Sequence, residues 1–141
     1  MHHPHGQYIP PDPSKGDEST VAGYAAVHAR PAALEGRDGF SYSIEVMSDT
    51  TGDARRPFGA YLLFVQWSRL GAQKVEGHLE SEFLAFGSDA TGAEKTLGAM
   101  RLAEAQAVLD GLIRGRDGAS NRRWWTAVEA KDEREIGRAH V

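Results

Sequence analysis

Apolar and polar residues alternate along two stretches of the chain, and this two-residue period predicts the sheet on which the fold is built. In the first, Phe40, Tyr42, Ile44 and Val46 alternate with Ser41, Ser43, Glu45 and Met47, the pattern of a half-buried strand. The second, Pro57 to Gly87, holds the longest run of strand-forming residues and is interrupted at Leu70-Gly71-Ala72, which predicts a β-hairpin.

Side-chain parity sets the expected register of this hairpin, because a slip of one residue turns every side chain of one strand to the other face. With Leu70 to Ala72 as the loop, Trp67 faces Val75, Leu63 faces Leu79, Tyr61 faces Ser81 and Gly59 faces Phe83. That surface is largely apolar and is the expected core side. The opposite face sets Gln66 against Glu76, Phe64 against His78 and Leu62 against Glu80. A loop of even length sets Val65 against Glu76 and Trp67 against Lys74, burying charge without return, and is rejected.

Thr20 to Arg30, with small and β-branched residues in loose alternation, reads as a further strand ended by Pro31, and Ala32 to Gly39 reads as a turn. Beyond Gly87 the period changes. Thr91 and Glu94 have capping-box spacing, and Leu102, Ala105, Leu109, Leu112 and Ile113 form one apolar helical stripe, offset from that of Leu97 and Met100. Gly98 is the natural break between a helix from about residue 92 to 98 and one from about 101 to 114, unless one kinked helix spans both. Ser120 or Asn121 is positioned to cap a last helix bearing Trp124 and Trp125.

The expected architecture is therefore an α+β two-layer domain: a four-stranded antiparallel meander followed by one kinked helix or two consecutive helices on one face. The domain spans residues 20–128. Residues 1–19, rich in His, Pro, Gly and charge, form an N-terminal arm expected to be disordered, and 129–141 a flexible mixed-charge tail.

Composition narrows the chemistry. None of the 141 residues is cysteine, which excludes disulfides, thiolate metal sites and cysteine nucleophiles and fits a reducing cytoplasm. A net charge of -4 argues against a surface built to follow phosphate backbones, so nucleic acid is not the expected partner, although Arg122 and Arg123 stand next to Trp124 and Trp125. No apolar run is long enough for a membrane helix. His2 and His3 could bind Cu(II) or Ni(II) as a terminal nitrogen site, a compositional property of short His-rich starts. Gly87 to Thr96 resembles a phosphate loop with two residues too many, which turns Lys95 away from a bound phosphate; a plain helix start explains it better. No cofactor motif and no catalytic constellation is present, so no reaction is selected, and the balance leans away from an enzyme without deciding the matter.

Two candidate sites follow. Glu76, His78 and Glu80 share one strand face with Phe64 and offer mixed nitrogen and oxygen ligands for a metal or a small molecule. The same residues suit a charged edge strand that resists unwanted pairing. Leu62 and Phe64, on a face the helices do not reach, require a cover, for which the candidates are the Trp124-Trp125 segment of the same chain, a second copy of the domain or a bound ligand. The expected function is a cytosolic homodimeric interaction or regulatory module; the alternative is a small-molecule or metal-binding domain, an enzyme among the options, using the Glu76, His78 and Glu80 strand face.

Overall fold

The computed structural model describes residues 9–68 and 74–126, with side chains to residue 118. The expected loop at Leu70 to Ala72, the His2-His3 site and the tail lie outside the described residues. Strands β1 (Ala33–Glu35), β2 (Ser41–Thr50), β3 (Phe58–Trp67) and β4 (Val75–Glu80) form an antiparallel meander in that order, and β5 (Ala85–Gly87) pairs with β3 beyond β4. Helix α1 (Val21–His28) precedes the sheet, and α2 (Ala90–Gly98) and α3 (Leu102–Thr126) follow it. The α+β fold with an open sheet is the one the hydrophobic periods predict.

Three expectations about its elements are corrected. Thr20 to Arg30 is a helix, not a strand. The Thr20 hydroxyl accepts the Gly23 N–H at 3.0 Å and donates to the Asp17 carbonyl at 2.8 Å, which caps the first turn. Ala22, Ala25 and Ala26 favour helix, and Val21 and Val27 reach the interior from it. Small residues carry too little contrast to distinguish a period of 2 from one of 3.6. The first strand of the meander is instead Ala33–Glu35, inside the expected turn, where Leu34 pairs with Tyr42. Part of the expected arm is also joined to the domain: the Asp12 N–H donates to the Val27 carbonyl at 2.9 Å, and Pro13–Lys15 forms a 3-10 turn.

The helical layer divides where Gly98 predicts, into two consecutive helices. Met100 and Arg101 turn their backbone toward the start of α1: the Val21 N–H donates to Met100 O at 2.9 Å and the Leu102 N–H to Ser19 O at 2.8 Å. A Cβ on Gly98 would lie 2.7 Å from that of Ala22, so the glycine allows α1 and α2 to touch there. The cap of α2 is Asp89, which accepts the Gly92 N–H at 2.7 Å, and not Thr91; Glu94 instead accepts from the Ser48 hydroxyl of β2. No new helix begins at Ser120 or Asn121, because α3 runs unbroken through them to Thr126.

The largest correction concerns the two faces of the hairpin. Trp67 pairs with Val75 as expected, but the next pair is Gln66 with Gly77, and Glu76 is left as a β-bulge. From there the register is shifted by one: Phe64 pairs with Leu79, Val65 with His78 and Leu63 with Glu80. The even positions of β3 therefore share a face with Leu79. Leu62 and Phe64 are 0% exposed, together with Tyr42, Ala60, Leu109 and Ile113, and the helices lie over them. Their expected place on an uncovered face is overturned. Tyr61, Leu63, Val65 and Trp67 take that place, on the outer side of the sheet, all partly exposed.

One polar network ties the layers together at the β1–β2 turn. The Tyr42 hydroxyl donates to Asp38 Oδ2 at 2.6 Å, the Arg116 guanidinium of α3 donates to the same oxygen at 3.0 Å, and the Phe40 N–H donates to Oδ1 at 3.1 Å. Burial pushes the Asp38 carboxyl upward, but these three bonds outweigh it and hold the group below its ordinary value. Burial, and then the bond to Asp38, push the Tyr42 phenol up to about 12.

Two predictions follow from the network and the bulge. Replacing Tyr42 by Phe removes a hydrogen bond to a charged acceptor and should lower stability by about 1.5–3 kcal/mol in urea unfolding. The wild-type advantage should hold below the ordinary tyrosine value of 10 and decline as pH rises through about 12, since the folded state keeps the proton longer. Asp38 acts in the opposite direction: its contribution is present above 3.8 and is lost as pH falls through its lower native value. Deleting Glu76 should leave a regular ladder with Leu79 still inward and a stability within about 1 kcal/mol of wild type. Inserting one residue after Gly77 should turn Leu79 outward and cost about 1.5–3 kcal/mol.

Candidate functional site: the open face of the sheet

The outer face is built in rows that cross β2, β3 and the β4–β5 strand. Ser41, Trp67 and Val75 form one row, Ser43, Val65 and His78 the next, and Glu45, Leu63 and Glu80 the third. Met47 stands beside Tyr61, and Asp49, Gly59 and Phe86 form the last row. Neighbouring strands lie about 4.8 Å apart, so the apolar side chains of β3 make a continuous stripe with polar or charged residues on both sides. Val75 is 51% and Met47 36% exposed. The Trp67 indole is held over β2 by its N–H, which donates to the Ser43 hydroxyl at 3.0 Å.

A second irregularity shapes the other end of the stripe. Between the Leu63–Glu80 and Ala60–Ala85 pairs, Ser81 to Leu84 stand opposite only Tyr61 and Leu62. The Ser81 hydroxyl oxygen accepts the Leu62 N–H at 3.0 Å and donates to the Glu82 carbonyl at 2.7 Å, which anchors the extra residues. Phe83 is thereby laid over Gly59, although the ladder pairs Gly59 with Phe86 and not with Phe83 as the hairpin register anticipates; a Cβ on Gly59 would lie 2.5 Å from the Phe83 ring. Phe83 meets Tyr61 edge-on with ring centroids 6.1 Å apart and Phe86 at 6.0 Å, and the Arg56 guanidinium lies 3.8 Å above the Phe86 ring. Beside this cluster is a crevice of about 340 Å³ lined by Tyr61, Phe83, Ser81 and the acidic residues Asp49, Glu80 and Glu82.

The residues singled out from sequence are only partly brought together. His78 Nε2 lies 3.5 Å from Glu80 Oε2, with both side chains about half exposed (60% and 51%). Glu76 is the bulged residue, and Phe64 lies beneath the sheet on the opposite face, so the four do not form one pocket. Among the described residues no three His, Asp or Glu side chains gather as a metal-holding group. β4 is an edge strand with Glu76, His78 and Glu80 exposed, an arrangement that discourages pairing with another sheet. His28 is on α1, stacked on Tyr24 at 4.1 Å and bonded to Glu18 at 2.8 Å, away from the His78 row. The side chains of Trp124 and Trp125 lie outside the described residues, and their backbone is part of α3.

A second concavity, about 220 Å³ between α1 and the edge of β2, is walled mainly by Val21, Ala22, Ala25, Ile44 and Val46, with Arg30 and Glu45 at its rim. It gathers no further titratable group. Among the described residues no helix is long and apolar enough to cross a membrane. Comparison of the chain with protein families, curated proteins and solved structures finds no match.

Tyr61, Val65, Trp67, Phe83 and the carboxylates Asp49 and Glu82 were not legible as an outer-face group. β3 is apolar at odd and even positions alike, and the parity that separates the two sets depends on the bulge at Glu76. The one available signal was Gly59 opposite Phe83.

The packing of Phe83 on Gly59 is testable by a double-mutant cycle. Gly59→Ala should displace the ring and cost about 1–3 kcal/mol, as overpacking does. In a Phe83→Ala background the same change should cost at least about 1 kcal/mol less, measured by denaturant unfolding. Equal costs in the two backgrounds would rule the contact out.

Proposed function

We propose that the protein is a small self-associating interaction module, a homodimer whose contact surface is the outer face of the sheet. The observation that carries this reading is the stripe of Tyr61, Leu63, Val65 and Trp67, each partly exposed and flanked by the exposed Met47 and Val75, while Leu62 and Phe64 of the same strand are fully buried. A contiguous apolar surface with a charged rim is the usual anatomy of a protein contact, with Trp and Tyr as its anchors. The rigid hydrogen bond of Trp67 to Ser43 lowers the entropy lost when that anchor is covered. The cysteine-free composition suits a reducing cytoplasm as the place of action.

The alternative of a ligand or metal site on Glu76, His78 and Glu80 has less behind it. Those side chains are open to water, and Phe64, its expected apolar wall, is in the core.

Sedimentation velocity tests the proposal directly. The wild-type chain should run as a dimer in the micromolar range, and Val65→Asp should raise the dimer dissociation constant by at least about tenfold, as loss of about 1.4 kcal/mol requires. Its far-UV circular dichroism should be unchanged, because Val65 is outside the core. A wild-type chain that stays at 15.3 kDa throughout that range overturns the proposal.

A further inference from the structure

Strand β2 outruns the strand beside it. The pairing of β1 ends with Ala33 opposite Ser43, and the Ala32 carbonyl takes one further bond, from the Ile44 N–H at 3.1 Å. From Glu45 to Thr50, β2 has β3 on one side and no strand on the other. The backbone groups of successive residues in an antiparallel strand point alternately to its two sides. The Ile44 bond toward β1 therefore puts the N–H and C=O of Val46 and Ser48 on the open side. Their partners in β3 agree, since the Leu62 and Ala60 carbonyls accept from Ser81 and Leu84 on the far side. Among the described residues these four groups of Val46 and Ser48 take no hydrogen-bond partner.

Two features beside the open edge show what would pair with it. The hollow of about 220 Å³ between α1 and β2, walled by Val21, Ala25, Ile44 and Val46, lies on the inner side of this edge. A strand added about 4.8 Å from β2 would send the side chain opposite Val46 into it. On the outer side the same run carries Glu45, Met47 and Asp49, all exposed. The cations at either end are engaged with other groups: Arg56 lies on Phe86 and pairs with Asp53, and Arg30, at the rim of the hollow, lies over Tyr24. No Lys or Arg among the described residues forms an ion pair with Glu45 or Asp49. A second copy of β2 fits poorly, because antiparallel pairing centred on Met47 would set Glu45 of one copy against Asp49 of the other.

We propose that the free edge of β2 from Glu45 to Asp49 is a strand-addition site for an extended segment of another protein in which basic and apolar residues alternate. The segment runs antiparallel to β2. Its apolar residues stand opposite Val46 and Ser48, exchange backbone hydrogen bonds with them and turn their side chains inward, one of them into the hollow. Its basic residues stand opposite Glu45, Met47 and Asp49 on the outer side, where the two carboxylates select their charge. Main-chain bonds give the affinity and the alternating side chains the specificity, as in other cases of sheet extension. The site does not depend on the dimer, whose apolar stripe is on β3.

The peptide acetyl-Lys-Val-Lys-Val-Lys-amide, five residues for the five of the edge, is the probe. Its fluorescein-labelled form should bind the full chain saturably in anisotropy, and the unlabelled peptide should slow amide hydrogen exchange at Val46 and Ser48. N-methylation of its two valines, whose N–H groups face β2, should weaken binding at least about tenfold, whereas N-methylation of the central lysine, whose N–H faces away, should not. Glu45→Lys with Asp49→Lys should reverse the preference toward acetyl-Glu-Val-Glu-Val-Glu-amide. Equal binding of the two methylated peptides would reduce the contact to charge alone and overturn the proposal. Binding that leaves Val46 and Ser48 exchange unchanged overturns it by placing the peptide elsewhere, the acidic crevice beside Phe83 included. Exchange at these amides that already slows as the chain alone is concentrated assigns the edge to a second copy, and absence of binding overturns the site.

Discussion

Strand β3 is apolar on both of its faces, and a sheet with helices on one side can bury only one of them. The choice is made by where the neighbouring strands can place their own apolar residues. β2 alternates cleanly and offers Tyr42, Ile44 and Val46, which the β2–β3 pairing puts beside the even positions of β3. The far strand offers Leu79, which pairs with Phe64 because Glu76 bulges out. Once the even positions face inward, Ala60, Leu62 and Phe64 make the floor on which α2 and α3 rest. Each of these large buried side chains contributes on the order of 1.5–3 kcal/mol, so a register that exposed them would forfeit several such contributions at once.

The helical layer follows from that floor and from a few polar constraints. The break after Gly98 separates α2 from α3, and its backbone groups are taken up by the start of α1. α3 is tied again just past its middle by Arg116 on Asp38, which also accepts from the Tyr42 hydroxyl. The acceptor for both is the turn between β1 and β2, so the network links sheet, turn and helix in one place. A Cβ on Gly36 in that turn would lie 2.7 Å from Ile113, a measure of how closely α3 is seated there.

The face left over is a consequence of the same choice. Tyr61, Leu63, Val65 and Trp67 are as apolar as the residues beneath them and are turned to the surface by the parity that buries Leu62 and Phe64. The extra residues after Glu80 then add Phe83 over Gly59 and bring Glu82 beside Asp49 and Glu80. An apolar stripe and an acidic crevice thus come from two strand irregularities. His78 stands beside Glu80 as an exposed edge residue.

The sequence by itself determined the class of fold, because the change from a two-residue period to a helical one is a local property and survives at any register. It also determined the β2 face, the division of the helices at Gly98 and the apolar character of both β3 faces, of which the helices cover one. Only the tertiary structure decided which face that is. A bulge of one residue has almost no local signature, yet it reverses inside and outside for everything beyond it, and its position is set by the fit of Leu79 against Phe64. The same limit applies to α1, where alanines and valines satisfy helix and strand equally until the Thr20 cap and the contacts of Val21 and Val27 select the helix.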